Sequence, residues 1–223
     1  MATIGIEVES AFRRIARGLR RWDDPHPPPD RVVADEEYSR LRDPERWRIV
    51  GARADAWAEA LVAVGAARFE RAASVVWLEA PGTVTARVDL LVPTVPGGIV
   101  VAFGRSRIGD VADAGLTLGV ADAVGEPFVA VHVVPDCGCD ACDSGSRDVV
   151  DEVDTWMGGI VDGSFRHLVS RFGTVTVRSA GLRGASAPGV MRFDPDEVLR
   201  DPSGWREWSG PPWLAGVPPR VPH

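Results

Sequence analysis

All three cysteines of the chain stand within one short segment, PDCGCDACDSGS, which runs from Pro135 to Ser146. Cys137, Cys139 and Cys142 follow a C-x-C-x2-C spacing, interleaved with Asp136, Asp140 and Asp143. Thiolates are good ligands for zinc, and Gly138 permits the positive φ that a loop needs to turn two neighbouring ligands onto one point. A tetrahedral zinc site needs a fourth donor. His132, five residues before Cys137 on the apolar run FVAVHVV, is the nearest, and His167 is a distant alternative. The three aspartates could ligate, or orient a ligating histidine. Four protein ligands would make a closed structural site, whereas a water in the fourth position would leave an open, catalytic one. All the thiols lie in one loop, so the pattern is less specific than two separated CxxC pairs, and it leaves both metal binding and three reduced thiols open.

Other chemistries fit the segment less well. Cys139 and Cys142 form a C-x-x-C ahead of an expected helix N-terminus, whose dipole lowers a thiol pKa, but three nearby aspartates oppose a thiolate and no βαβ frame surrounds the motif. Asp140, Ser144, Gly145 and Asp151 match positions of an EF-hand loop, yet Cys142 would put soft sulfur at the second ligand position, so calcium is rejected. G-x-S-x-G, HExxH, Walker A and G-x-G-x-x-G motifs are all missing. Paired carboxylates such as Asp110 with Asp113, or Asp151 with Glu152, read as solvated faces. So do Arg105 and Arg107 after an apparent strand. His26, in a proline-rich connector, and the terminal His223 read as exposed and inert.

The elements that must position the cysteines follow from periodicity. Val8, Phe12, Ile15 and Leu19 predict an amphipathic helix over the first twenty residues, with Arg13, Arg14, Arg17, Arg20 and Arg21 on its polar side. DDPHPPPDR breaks it. A second helix is expected with Asp43 as N-cap, Pro44 at its first position, and Trp47, Val50, Ala54, Trp57, Leu61 and Val64 on the buried stripe. From Ser74 to Pro135, SVVWLE, TVTARVDLLV, GIVVAFG, GLTLGV and PFVAVHVV predict a mostly antiparallel sheet, and the alternation around Val84 to Leu90 predicts one solvated face. Ser146 is the expected N-cap of a helix carrying Val149, Val153, Trp156, Met157 and Ile160. A hairpin from SFRHLVSRFGTVTVRSAG, a short capped helix from DPDEVLRD and a Trp/Pro-rich tail complete the chain, the tail strapped on by Trp205, Trp208 and Trp213.

A chain of 223 residues with 45% hydrophobic residues and eight tryptophans can bury a substantial core. Its 25 basic residues are all arginine, which removes every lysine-dependent chemistry, and 32 acidic residues give a net charge of −7, which argues against broad nucleic-acid binding. No stretch has the length and apolarity of a membrane span or a signal peptide, so a cytoplasmic protein is expected, where clustered cysteines stay reduced.

YSRLRDPERW together with CGCDACDSGS resembles a family of uncharacterised actinobacterial proteins with a CGCDACD signature. The resemblance covers the chain from about Tyr38 to Gly163, implies a shared fold but no known activity, and points to Cys137, Cys139, Asp140, Cys142 and Asp143. The expected architecture is α+β, with N-terminal helices packed on a mostly antiparallel sheet and a later helix after the cysteine-rich loop. Residues 1–30 form a helix and connector, 31–209 a single domain and 210–223 a Pro-rich tail. The expected role is non-enzymatic: Cys137, Cys139, Cys142 and His132 bind structural zinc, or the loop stabilises an interaction surface for a protein partner. One alternative is an enzyme that uses the loop as a catalytic metal or thiol redox site. The other is an interaction module that uses the Trp/Pro tail or the arginine-rich helix.

Overall fold

The computed structural model describes residues 2–26, 33–81, 85–179, 181–187 and 193–215. Its chain order begins with α1 (Ala2–Ile15), a 3₁₀ turn (Asp35–Ser39), a second 3₁₀ turn (Pro44–Trp47) and α2 (Arg48–Ala63). Five strands follow: β1 (Ala67–Glu70), β2 (Thr85–Pro93), β3 (Val100–Ile108), β4 (Val111–Ala121) and β5 (Val129–Val134). A 3₁₀ turn over Asp140–Cys142 leads to α3 (Gly145–Asp162). Next come β6 (Arg166–Ser170), β7 (Gly173–Ser179), β8 (Leu182–Ser186), α4 (Pro195–Arg200) and β9 (Arg206–Ser209). The class is the expected α+β.

β1 to β5 form an antiparallel meander in sequence order, and a second antiparallel sheet has the order β8-β7-β6-β9. α2 packs against the first sheet, with α1 and α3 packed on α2 and α3 also reaching β5. Val8, Phe12, Val50, Trp57, Leu61, Val153 and Met157 meet Leu91, Phe103, Leu116 and Leu118 there in one buried cluster. Two ion pairs hold the three helices together. Arg53 donates to both oxygens of Asp154 on α3, at 2.7 and 2.6 Å, and to Glu9 on α1 at 3.2 Å, while Trp57 Nε1 donates to Asp154 at 2.8 Å.

Several expectations need correcting. α1 stops at Ile15 because Gly18, at φ +89°, turns the chain, although Leu19 still packs on the core. Asp43 stands before the Pro44–Trp47 turn but makes no side-chain cap; its carboxylate instead takes Arg20 Nη1 at 2.5 Å. SVVWLE contributes only a single bridge, Trp77 to Phe128, rather than a strand. The solvated face of β2 is also not observed: Val88, Leu90 and Val92 are buried beneath Ala73, Val75 and Trp77, and Asp89 on the opposite face is fully buried. Asp89 is there because Arg105, also buried, donates to it from β3 at 3.2 Å while reaching Asp55 and the Gly51 carbonyl on α2. Arg105 is therefore an internal cross-brace and not a surface residue.

Candidate metal centre

β5 delivers the chain to Pro135, and the loop from there to Ser144 turns directly into α3. Gly138, at φ +71°, makes the bend between Cys137 and Cys139. The three sulfurs lie within 4.8 Å of one another, with Cys137 Sγ 3.0 Å from Cys139 Sγ, and all three cysteines are free. Cys137 and Cys142 are exposed and Cys139 is half-buried. Among the described residues no histidine or carboxylate oxygen belongs to this group of donor atoms.

Asp136 is exposed, but the other two interleaved aspartates face inward. Asp140 is 7% exposed and Asp143 only 2%. Arg40 Nε donates to Asp140 at 2.6 Å, the Arg42 amide at 3.0 Å and Arg46 Nη2 at 3.4 Å, while the Asp140 amide donates back to the Arg40 carbonyl at 2.9 Å. Asp143 receives Trp22 Nε1 at 2.8 Å, the Gly145 amide at 2.9 Å and an ion pair from Arg46 at 3.0 Å. Two segments nearly a hundred residues or more upstream therefore clamp the loop from within.

The connector also seals the start of α3. Ser146 is not the N-cap; that position falls to Ser144, which makes no side-chain cap. Ser146 pairs with Trp22 instead: its amide and hydroxyl donate to the Trp22 carbonyl at 3.0 and 2.9 Å, and the hydroxyl accepts the Trp22 amide at 3.1 Å. Gly145, at φ +88°, lets the backbone of Asp24 pass so close that a Cβ would sit 2.6 Å from its nitrogen.

This environment divides the thiols. Burial raises the Cys139 pKa, but hydrogen bonds from Cys137, Cys142 and the backbone amides of Cys142 and Ala141 outweigh it and bring the thiol below its ordinary value. Cys142 is pushed up to about 12, first by its hydrogen bonds with Cys137 and Cys139, then by burial and their charge. Burial likewise raises Asp140, yet the hydrogen bonds from Arg40 and Arg42 and the charges of Arg40 and Arg46 hold its carboxyl below the usual range. The expected opposition of the aspartates to a thiolate does not decide Cys139, which is lowered by its hydrogen bonds from the neighbouring thiols and amides.

The histidines have other partners. His132 Nε2 lies 2.7 Å from Glu152 Oε1 on α3, and its ring stacks on Trp156 with centroids 4.8 Å apart. His167 is 5% exposed in the second sheet, with Nδ1 2.8 Å from the Thr176 hydroxyl. It lines a cleft of about 670 Å³ between β5 and the β6–β7 sheet, and burial lowers its pKa to about 4. His26 is not exposed as expected: its side chain is 10% accessible, with Nε2 3.1 Å from Glu37 and 3.3 Å from the Asp140 carbonyl. His223 lies outside the described residues.

Nothing in the cysteine string marks Trp22, Arg40 and Arg46 as part of the centre, because each sits in a different predicted element from the cysteines. The one signal available was the pairing of YSRLRDPERW with the cysteine string, since Arg40, Arg42 and Arg46 all belong to that decapeptide. A cavity of about 310 Å³ beside the loop is lined by these arginines with Asp140 and Asp143, and by no cysteine.

A model of a family of unknown function (DUF6226) matches residues 8–212, and the chain belongs to that family. No curated protein and no solved structure matches the chain.

Proposed function

We propose that the protein is a non-enzymatic metal-binding protein whose centre is the Cys137, Cys139 and Cys142 triad, with the bound ion presented at a surface open to a protein partner. One observation carries this reading: three sulfurs converge within 4.8 Å on a loop already fixed from beneath by Asp140 and Asp143. The anchoring needs no ion, so metal enters a prepared site, unlike a zinc finger that folds only around its metal. A non-enzymatic role is supported by the exposure of the thiols and by the lack of any cysteine in the adjoining concavity. Zinc, the ion expected from the spacing, suits thiolate donors but needs a fourth ligand, and His132 stands outside the sulfur group, held by Glu152 at 2.7 Å. A cytoplasmic setting fits three free cysteines.

The test is to purify the chain without a metal-affinity tag under reducing, chelator-free conditions, then measure bound elements by mass spectrometry beside a thiol titration. About one metal ion per chain with shielded thiols is expected. No metal and three freely titrated thiols would overturn the proposal.

A further inference from the structure

We infer that the cysteine triad is a three-coordinate thiolate site, complete for a soft monovalent ion of the Cu(I) class, with no protein donor in a fourth position. This rests on the reading of the triad as a metal centre and decides which ion the donor set fits.

Sulfur is concentrated: the three Sγ atoms lie within 4.8 Å, and among the described residues no nitrogen or carboxylate oxygen shares that group. Asp136, exposed just before Cys137, has no oxygen among the gathered donor atoms, and the other candidates for a fourth position are engaged elsewhere. His132 holds Glu152 at 2.7 Å and stacks on Trp156. Asp140 and Asp143 turn inward to Arg40, Arg46 and Trp22, so using either would leave buried guanidinium and indole donors without their acceptor. His26 sits between Glu37 and the Asp140 carbonyl, behind the loop. His167 belongs to the second sheet.

Zinc requires four ligands in a structural site, so the triad leaves it one short. Soft thiolates suit Cu(I), zinc and iron–sulfur clusters alike, and among these Cu(I) is the ion that three sulfurs satisfy without a fourth ligand. Because the carboxylates are anchored, the loop is stiff and has little freedom to recruit a distant histidine. The exposure of Cys137 and Cys142 lets the ion enter from solvent and leave to another thiol ligand. Binding must displace thiol protons, so retention weakens as pH falls.

The full chain, reduced and handled anaerobically, is titrated with Cu(I) from its acetonitrile complex against a coloured Cu(I) chelator, and in parallel with zinc against a zinc-responsive dye. X-ray absorption then counts ligands in each loaded form. The expected result is about one Cu(I) per chain in an all-sulfur shell. His132→Ala and Asp136→Ala should leave its retention unchanged. Each single Cys→Ser should weaken it by more than the roughly 10–100-fold that losing a ligand-supporting group costs. Zinc held by three sulfurs and a nitrogen that disappears in His132→Ala would overturn this inference and leave the metal-centre reading standing. An ion shared between two chains would overturn it as well. Failure of both ions to protect any thiol would remove the metal centre itself. Circular dichroism of each variant separates loss of a ligand from loss of fold.

Discussion

Within the seven residues from Cys137 to Asp143 the side chains divide their labour by direction: Cys137 and Cys142 face solvent, and Asp140 and Asp143 face inward. The consequence for reactivity is specific. Cys139 is held below its ordinary value although it is the least exposed, and Cys142 is pushed up to about 12. Since the thiolate is the nucleophile, limited alkylation near neutral pH should label Cys139 before Cys142, as peptide mapping will show. Labelling in order of exposure would contradict the assigned hydrogen bonds. Beneath the sulfurs, Asp143→Ala would strip Arg46 and Trp22 of a buried acceptor. It should cost about 3 kcal/mol, read from urea unfolding, the magnitude expected when one partner of a buried pair is removed. The cysteines were legible as a site because thiol clustering is a local property of the string. The aspartates were not, because their meaning depends on Arg40, Arg46 and Trp22, which only the tertiary fold brings near.

Strands and helices obey the same rule: what one element's own pattern encodes was readable, and what a neighbour imposes was not. The buried stripe of α2 followed its 3.6-residue period, and β2 to β5 followed their β-branched runs. β2 was misread as half-solvated because Asp89, polar in the string, is fully buried against Arg105. That brace ties β2, β3 and α2 together and makes a prediction. Arg105→Met would leave the buried Asp89 with only Arg87, at 3.2 Å, and the Ala72 amide, and should cost about 3 kcal/mol, whereas adding Asp89→Asn to the same chain should recover part of the loss by removing the under-compensated charge. Chemical denaturation of the two variants beside the parent measures both. A double variant no better than the single one would mean that packing around Arg105, and not its charge, does the stabilising.

At the scale of the whole molecule, the core does not respect the division into arm, body and tail. Val8 and Phe12 of α1 share one buried cluster with Trp213, well beyond β9, and we propose that residues 2–215 unfold as a single cooperative unit. Such a unit should carry a pH signature from His167. Its pKa is about 4 folded against an ordinary 6.5, so the neutral form is favoured in the fold. As pH falls from 6.5 toward 4 the unfolded chain gains a proton that the folded chain refuses, and stability drops by up to about 1.4 kcal/mol per pH unit. Above 6.5 this contribution is fully present, and His167→Gln should flatten the slope between pH 6.5 and 5, before the carboxylates begin to titrate. The tail supplies the sharper test of unity. Trp213 is 1% exposed, its amide donates to the Val161 carbonyl at the end of α3 at 2.9 Å, and Trp208 on β9 is buried as deeply. A tail built to engage a partner in trans would keep its indoles accessible, so these two argue for a strap. Truncation after Ser209 should therefore remove a core residue and lower stability by roughly the 3–5 kcal/mol of a buried Trp→Ala change. Thermal unfolding followed by tryptophan fluorescence should show one transition moved down as a whole. If the midpoint instead stays where it was, α3 does not depend on the tail, and a recognition role for it returns.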